Sequence, residues 1–256
     1  MARLCASASE NNINILLSFS ENHHNSLYIS QCLISSSGEL RMTRRKMKPT
    51  HMERTLFGDA SGNSLQNVVD VPDVGRVGAL VGWEHAMPLL KYHTCLQNPD
   101  IHVSCWPPVY EHRGGQDLFS MSREGCRNLS QTFAIESQSF VLHTTSVITQ
   151  KGIEKLGIEE GMLGGGSSAI YGPDGRKLSE DIPEGMEGIL YADLEIDEIL
   201  RARAFLDVCG LGSRPDMLWL GVDGREKRVL RYGVEGQDGG RVEEKACEKT
   251  VFSWMN

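Results

Sequence analysis

Residues 75–85, Gly-Arg-Val-Gly-Ala-Leu-Val-Gly-Trp-Glu-His, constrain the fold more than any other stretch of the chain. Val77 to Val81 is a short apolar run, the pattern of a buried strand. The run stops at Gly82, and Trp83-Glu84-His85 opens a segment of helical character. A strand that feeds a sharp turn into a helix holds the residue at its tip clear of the backbone, with free N–H groups of the helix start close by. Hydrolytic α/β enzymes use such a tip to present a nucleophile. Here the tip residue is glycine.

The chain has 256 residues, enough for one large domain with a full core. Hydrophobic residues make up 40% and the mean hydropathy is −0.29, which is ordinary for a globular protein. A net charge of −8 leaves no basic excess to neutralise phosphates, so nucleic acid is not an expected partner. No apolar run approaches the roughly 20 residues that span a bilayer, so no membrane partner is expected either. The seven cysteines are scattered and form no Cys-x-x-Cys, which argues against a disulfide framework or a zinc site. The N-terminus lacks the apolar core of a secretory signal, and the cytoplasm is the expected location.

Residues 1–12 read as the last turns of a helix leading into a strand at 13–19. Residues 27–34 and 39–45 alternate on either side of Ser35-Ser-Ser-Gly38, a β-hairpin pattern. A Gly/Ser/Asn loop at 56–67 precedes a strand at 68–71. Residues 84–97 place apolar side chains on one helical face, with Pro88 in the first turn, where its missing N–H is tolerated. A buried strand at 101–106 closes on Pro107-Pro108. A helix at 118–137 and a strand at 139–148 follow. The glycine-rich stretch 164–175 lacks Gly-Lys-Ser/Thr and is not a phosphate loop; its Gly172-Pro-Asp-Gly175 is a turn between strands. A helix at 197–205 completes a domain expected over 1–220. The charged, glycine-rich residues 221–256 are expected to be a poorly ordered tail.

Several of these blocks, in this order, carry a family resemblance. Arg44-Arg-Lys-Met-Lys-Pro-Thr-His-Met-Glu-Arg-Thr55, then Gly75-Arg-Val-Gly-Ala-Leu80 and Trp83-Glu-His85, then His102-Val and Trp106-Pro, Ala134-x-Glu136, and Gly172-Pro-Asp-Gly175 resemble the nitrilase and cyanide hydratase family of carbon–nitrogen hydrolases. The resemblance runs over roughly residues 4–220. It implies an α/β fold, the four-layer αββα sandwich, without that family's first β-α-β unit. It also implies a Cys-Glu-Lys site whose thiolate attacks a nitrile carbon to give a thioimidate, released as acid plus ammonia or as an amide. No metal or organic cofactor is implied.

By position Lys46 resembles the family's catalytic lysine, whose ammonium stabilises charge that builds during attack. Glu53 resembles the carboxylate beside it. Gly82 stands where the family has its nucleophilic cysteine. Trp83, Glu84, His85, His51, Trp106 and Glu136 are the expected pocket residues, with Lys48 in the same block. For Glu136 two readings stand: direct catalysis, or a carboxylate satisfied by backbone N–H groups at the end of the sheet. Cys105, at a strand end, is expected to pack as a small hydrophobe rather than replace the lost thiol. A second departure lies at 207–216, where Leu211 and Gly212 replace the family's His-Tyr. The missing first unit would carry the family's general-base glutamate. The implied partners are a small nitrile or cyanide, and further copies in a homo-oligomer or a hetero-oligomer with a full-length nitrilase. With Gly82 in place of cysteine, the chain is expected to be inactive as written, a non-catalytic scaffold or a truncated product being the alternatives.

Overall fold

A computed structural model describes residues 1–109, 118–157, 164–183 and 185–227. The elements follow in the order α1 (Ala2–Asn11), β1 (Ile15–His23), β2 (Ser26–Ile34), β3 (Leu40–Arg45), β4 (Val68–Val71), β5 (Gly75–Val81), α2 (Pro88–Leu96), β6 (Ile101–Trp106), α3 (Arg123–Ser137), β7 (Phe140–Thr145), β8 (Val147–Ile148), α4 (Gln150–Leu156), β9 (Gly164–Gly165), β10 (Ala169–Tyr171) and α5 (Asp197–Phe205). The expected strands and helices are present, most within two residues of their expected ends. The helix expected at 118–137 is a short 3-10 turn, Phe119–Met121, followed by α3, which the Ser122 side chain caps by accepting from the Gly125 N–H. Helix α4 is an addition the sequence reading did not anticipate.

Strands β1, β2 and β3 form an antiparallel sheet. A second sheet has the order β10-β7-β6-β5-β4, with β5, β6 and β7 parallel and both edges antiparallel. Alternation along each strand divides the side chains between layers. Leu33 of β2, Met42 of β3, Val77 and Ala79 of β5 and Val103 and Cys105 of β6 meet between the two sheets. On the other face of the first sheet, Cys32 and Ile34 pack with Ala8 and Cys5 of α1. On the outer face of the second sheet, Val141, Ala169 and Tyr171 pack on Cys95 of α2 and Phe133 and Ala134 of α3. The layers are therefore α1, sheet, sheet, α2 with α3, the expected αββα sandwich.

Among the described residues no helix is long and apolar enough to cross a membrane. Backbone atoms of Asp223 and Arg225 lie against Gly62, so the chain stays on the domain past residue 220. Of the tail expected from residue 221, residues 228–256 lie outside the described residues.

Candidate active site

The parallel strand β5 ends at the turn foreseen from sequence. Residues Gly82–Ala86 form one 3-10 turn directly after Val81. Gly82 has φ +51°, the left-handed region that glycine enters without a Cβ penalty. The space beside it is open. A Cβ built on Gly82 would lie 3.9 Å from Lys46 Nζ, 3.9 Å from the Trp106 ring and 3.8 Å from Pro107, all ordinary contacts.

Lys46 follows the end of β3 and is 1% exposed. Its ammonium donates to Glu53 Oε2 at 2.5 Å. The same oxygen accepts the Thr50 N–H at 2.6 Å, so the turn His51–Thr55 holds the carboxylate against the ammonium. Lysine and glutamate, seven residues apart, are thus brought to the empty side-chain position at 82 from a segment distant in sequence.

The turn itself is tied down from within. Glu84 is fully buried and pairs with Arg44 through two bonds of 2.8 Å. It also accepts the N–H groups of Val81 and Met47, each at 2.8 Å. One carboxylate therefore joins the residue before the tip to the residue after Lys46. Burial pushes its pKa up, but the Arg44 guanidinium and the two N–H groups prevail and hold it below the usual carboxylate value. Gln31 completes the group, accepting from Arg44 at 2.7 Å and donating to the Leu80 carbonyl at 3.2 Å.

His85 is also fully buried. Its Nδ1 meets the Gly82 carbonyl at 2.7 Å, and its Nε2 meets Ser104 Oγ at 2.6 Å and His102 Nε2 at 3.0 Å. Ser104 continues to Ser130 and Ser130 to His143, each at 2.8 Å. Burial lowers the pKa of His85 to about 4 and of His143 to about 3, and takes His102 well below the usual value.

The expected pocket residues therefore separate into groups. Trp106 borders the tip, and Trp83 meets it edge-on with ring centres 5.4 Å apart. Glu84 and His85 are fully buried, and their side chains are engaged in holding the turn. His51 is exposed at the start of the Glu53 turn, and Lys48 pairs at the surface with Asp59. Glu136 sits on the last turn of α3 and pairs with Lys91 of α2 at 2.7 Å. A lysine ammonium, not backbone N–H groups, satisfies it. Cys105 faces the layer between the sheets, where burial raises its thiol pKa; it packs as a small hydrophobe.

Sequence reasoning missed Arg44 as the partner of Glu84, and the chain of His102, Ser104, Ser130 and His143. The signal for the latter was present: in Ile101-His-Val-Ser-Cys-Trp106, histidine and serine alternate with apolar residues on a buried strand. A groove of about 530 Å³ lies elsewhere, lined by Ile135, Arg176, Leu178 and Phe205 among others, and includes none of these site residues.

A family model described as carbon-nitrogen hydrolase matches residues 1–204. An arylacetonitrilase of Aspergillus kawachii is 57% identical over 235 residues, covering 90% of this chain and 71% of that protein. Among solved structures, a carbon-nitrogen hydrolase from Helicobacter pylori superposes with a TM-score of 0.65 at 17% identity, covering 79% of this chain and 68% of the other. Nit3 of Saccharomyces cerevisiae, a member of branch 10 of the nitrilase superfamily, gives a TM-score of 0.63 at 17% identity, covering 82% and 69%. At such identities the structures speak for the fold.

Proposed function

The chain belongs to the carbon–nitrogen hydrolase family, and from that premise we propose that Lys46, Glu53 and the Gly82 turn form a nitrile site that lacks its own nucleophile. The observation that carries this reading is the open position at Gly82, where a side chain would stand 3.9 Å from the Lys46 ammonium without a clash. Attack on a nitrile carbon places negative charge on the nitrogen. A buried ammonium at that point stabilises the charge, and Glu53 keeps the ammonium in place. With no side chain at 82 there is no covalent intermediate, and what remains is binding and charge stabilisation. The chain as written therefore holds a nitrile without turning it over.

The arylacetonitrilase relatives and the Trp83–Trp106 pair beside the tip support an arylacetonitrile as the ligand class. The scattered free cysteines support a reducing compartment, the cytoplasm.

The test compares the purified chain with its Gly82→Cys variant on an arylacetonitrile, reading ammonia and amide release and the mass of any adduct on residue 82. The parent should release neither product. The variant should form the thioimidate adduct, and Lys46→Ala in that background should abolish it. A folded Gly82→Cys protein that forms no adduct would sink the reading. So would Lys46-dependent turnover by the parent, since the nucleophile would then lie elsewhere.

A second role is favoured by exposed apolar side chains in the C-terminal part of the domain, among them Phe205 at 94% and Leu211 at 96%. Such groups suit association with another copy or with an active relative, in which this chain serves as a scaffold.

A further inference from the structure

We propose that His85 is a positioning residue of this site: its Nδ1–H holds the Gly82 carbonyl, and this bond fixes the direction in which position 82 faces Lys46. The proposal rests on the reading of the site given above and goes beyond the lysine, glutamate and tip residue that define it.

The geometry assigns the proton. A backbone carbonyl only accepts, so at 2.7 Å from Gly82 O the Nδ1 of His85 must carry the hydrogen. Nε2 is then the bare acceptor, and it faces Ser104 Oγ at 2.6 Å and His102 Nε2 at 3.0 Å, both able to donate. The tautomer is thus fixed from the far side of the ring, by partners that are themselves buried. The ring is also held in plane. It stacks on Trp106 with centres 5.6 Å apart and 24° between planes, and meets Phe133 edge-on. Trp106 is one of the walls of the open position, so His85 supports both the tip's backbone and the surface that a side chain there would touch.

Glu84 holds the tip from the other side. It accepts the Val81 N–H immediately before the tip, while His85 takes the carbonyl of the tip itself. Two adjacent side chains of one short turn therefore clamp the backbone on both sides of Gly82. Gly82 is buried, so loss of the imidazole frees that peptide to rotate or leaves its carbonyl unpaired. Burial lowers the His85 pKa to about 4, so the neutral, Nδ1-protonated ring persists at neutral pH.

The test separates the two ends of the ring. In the Gly82→Cys background, His85→Asn places an amide N–H near the place of Nδ1 and keeps the bond to the carbonyl. His85→Gln places its amide near Nε2 and keeps the bonds to Ser104 and His102. The readout is the rate of alkylation of residue 82 by iodoacetamide across a pH series, with modification located by peptide mass, beside the melting temperature of each variant. Positioning through the carbonyl predicts that His85→Gln slows alkylation at neutral pH by about tenfold and shifts its pH midpoint, while His85→Asn stays within about twofold of the background. Equal effects of Asn and Gln, or rates unchanged in both, would overturn the proposal. Should a variant fail to fold, ¹⁵N spectra of histidine in the unmodified chain decide the same point: Nδ1 protonated supports it, Nε2 protonated on His85 refutes it. Alkylation requires no nitrile, so failure of the nitrile reading and failure of the positioning role are read separately.

Discussion

The turn around Gly82 and the stretch 186–222 are built on opposite terms. Around the turn, Arg44, Lys46, Glu84, His85, His102 and Ser104 are all buried, and each has a hydrogen-bond partner within the chain. Along 186–222, α5 is the regular element described, and Tyr191, Phe205, Leu211 and Trp219 stand at least 78% exposed. The first region is completed by its own residues, with glycine at its tip. The second leaves apolar groups for something else to cover. The difference shows what each loss costs. A side chain at φ +51° is strained, by about 1–3 kcal/mol for a non-glycine residue, so glycine at the tip relieves strain. Members of the surrounding network have no such freedom, because each one removed leaves a buried partner behind. The tip residue can therefore change while the frame around it is kept.

The sharpest break of this contrast is Glu84→Ala. It strands the buried Arg44 guanidinium and frees the N–H groups of Val81 and Met47. A loss of about 3–5 kcal/mol is expected from urea unfolding, well above the cost of Gly82→Cys in the same assay. If Glu84→Ala proves no more damaging than Gly82→Cys, the frame is not what holds the turn.

Acid should act on the same region with a smaller effect. The unfolded chain protonates its histidines near pH 6.5, whereas burial keeps His85, His102 and His143 neutral to much lower pH. Stability is therefore full above pH 6.5 and falls as pH drops below it, because only the unfolded state takes up the protons. Glu84, whose pKa is lowered in the fold, adds a loss in the same direction at still lower pH. Each imidazole contributes about 0.7 kcal/mol between pH 7 and pH 6, so about 2 kcal/mol should be lost over that unit. A denaturation midpoint that stays flat from pH 7 to 6 would show that these rings are hydrated or charged in the native state.

Local pattern made the strands and the position of the tip legible, while the αββα layering was implied by the family resemblance. Alternation in residues 27–34 and 101–106 and the apolar run before Gly82 are periodic signals that burial enforces. Lys46 and Glu53 were legible through a twelve-residue block, and seven residues of spacing across one short turn brings them into contact. The roles of Glu84, His85 and Glu136 were not legible, since which way a side chain points depends on partners distant in sequence. Arg44 lies 40 residues from Glu84, and Lys91 lies 45 residues from Glu136. Neither pairing has a local signature. A motif can mark a residue as belonging to the site without saying whether it touches the ligand or holds the residue that does.

The smallest expected effect on stability belongs to the exposed stretch. Leu211 is 96% exposed and Trp219 78% exposed. Replacing both with serine removes almost no contact within the chain, so unfolding energy should change by no more than about 0.5 kcal/mol. The mass in solution should respond instead. If these side chains are covered by a second copy or a related subunit, burying them there contributes on the order of 1.5–3 kcal/mol for each large side chain. Their loss should then move the particle to a smaller mass by light scattering at a fixed protein concentration. An unchanged mass with unchanged stability would show that this surface is simply solvated, and the second region would be as finished as the first.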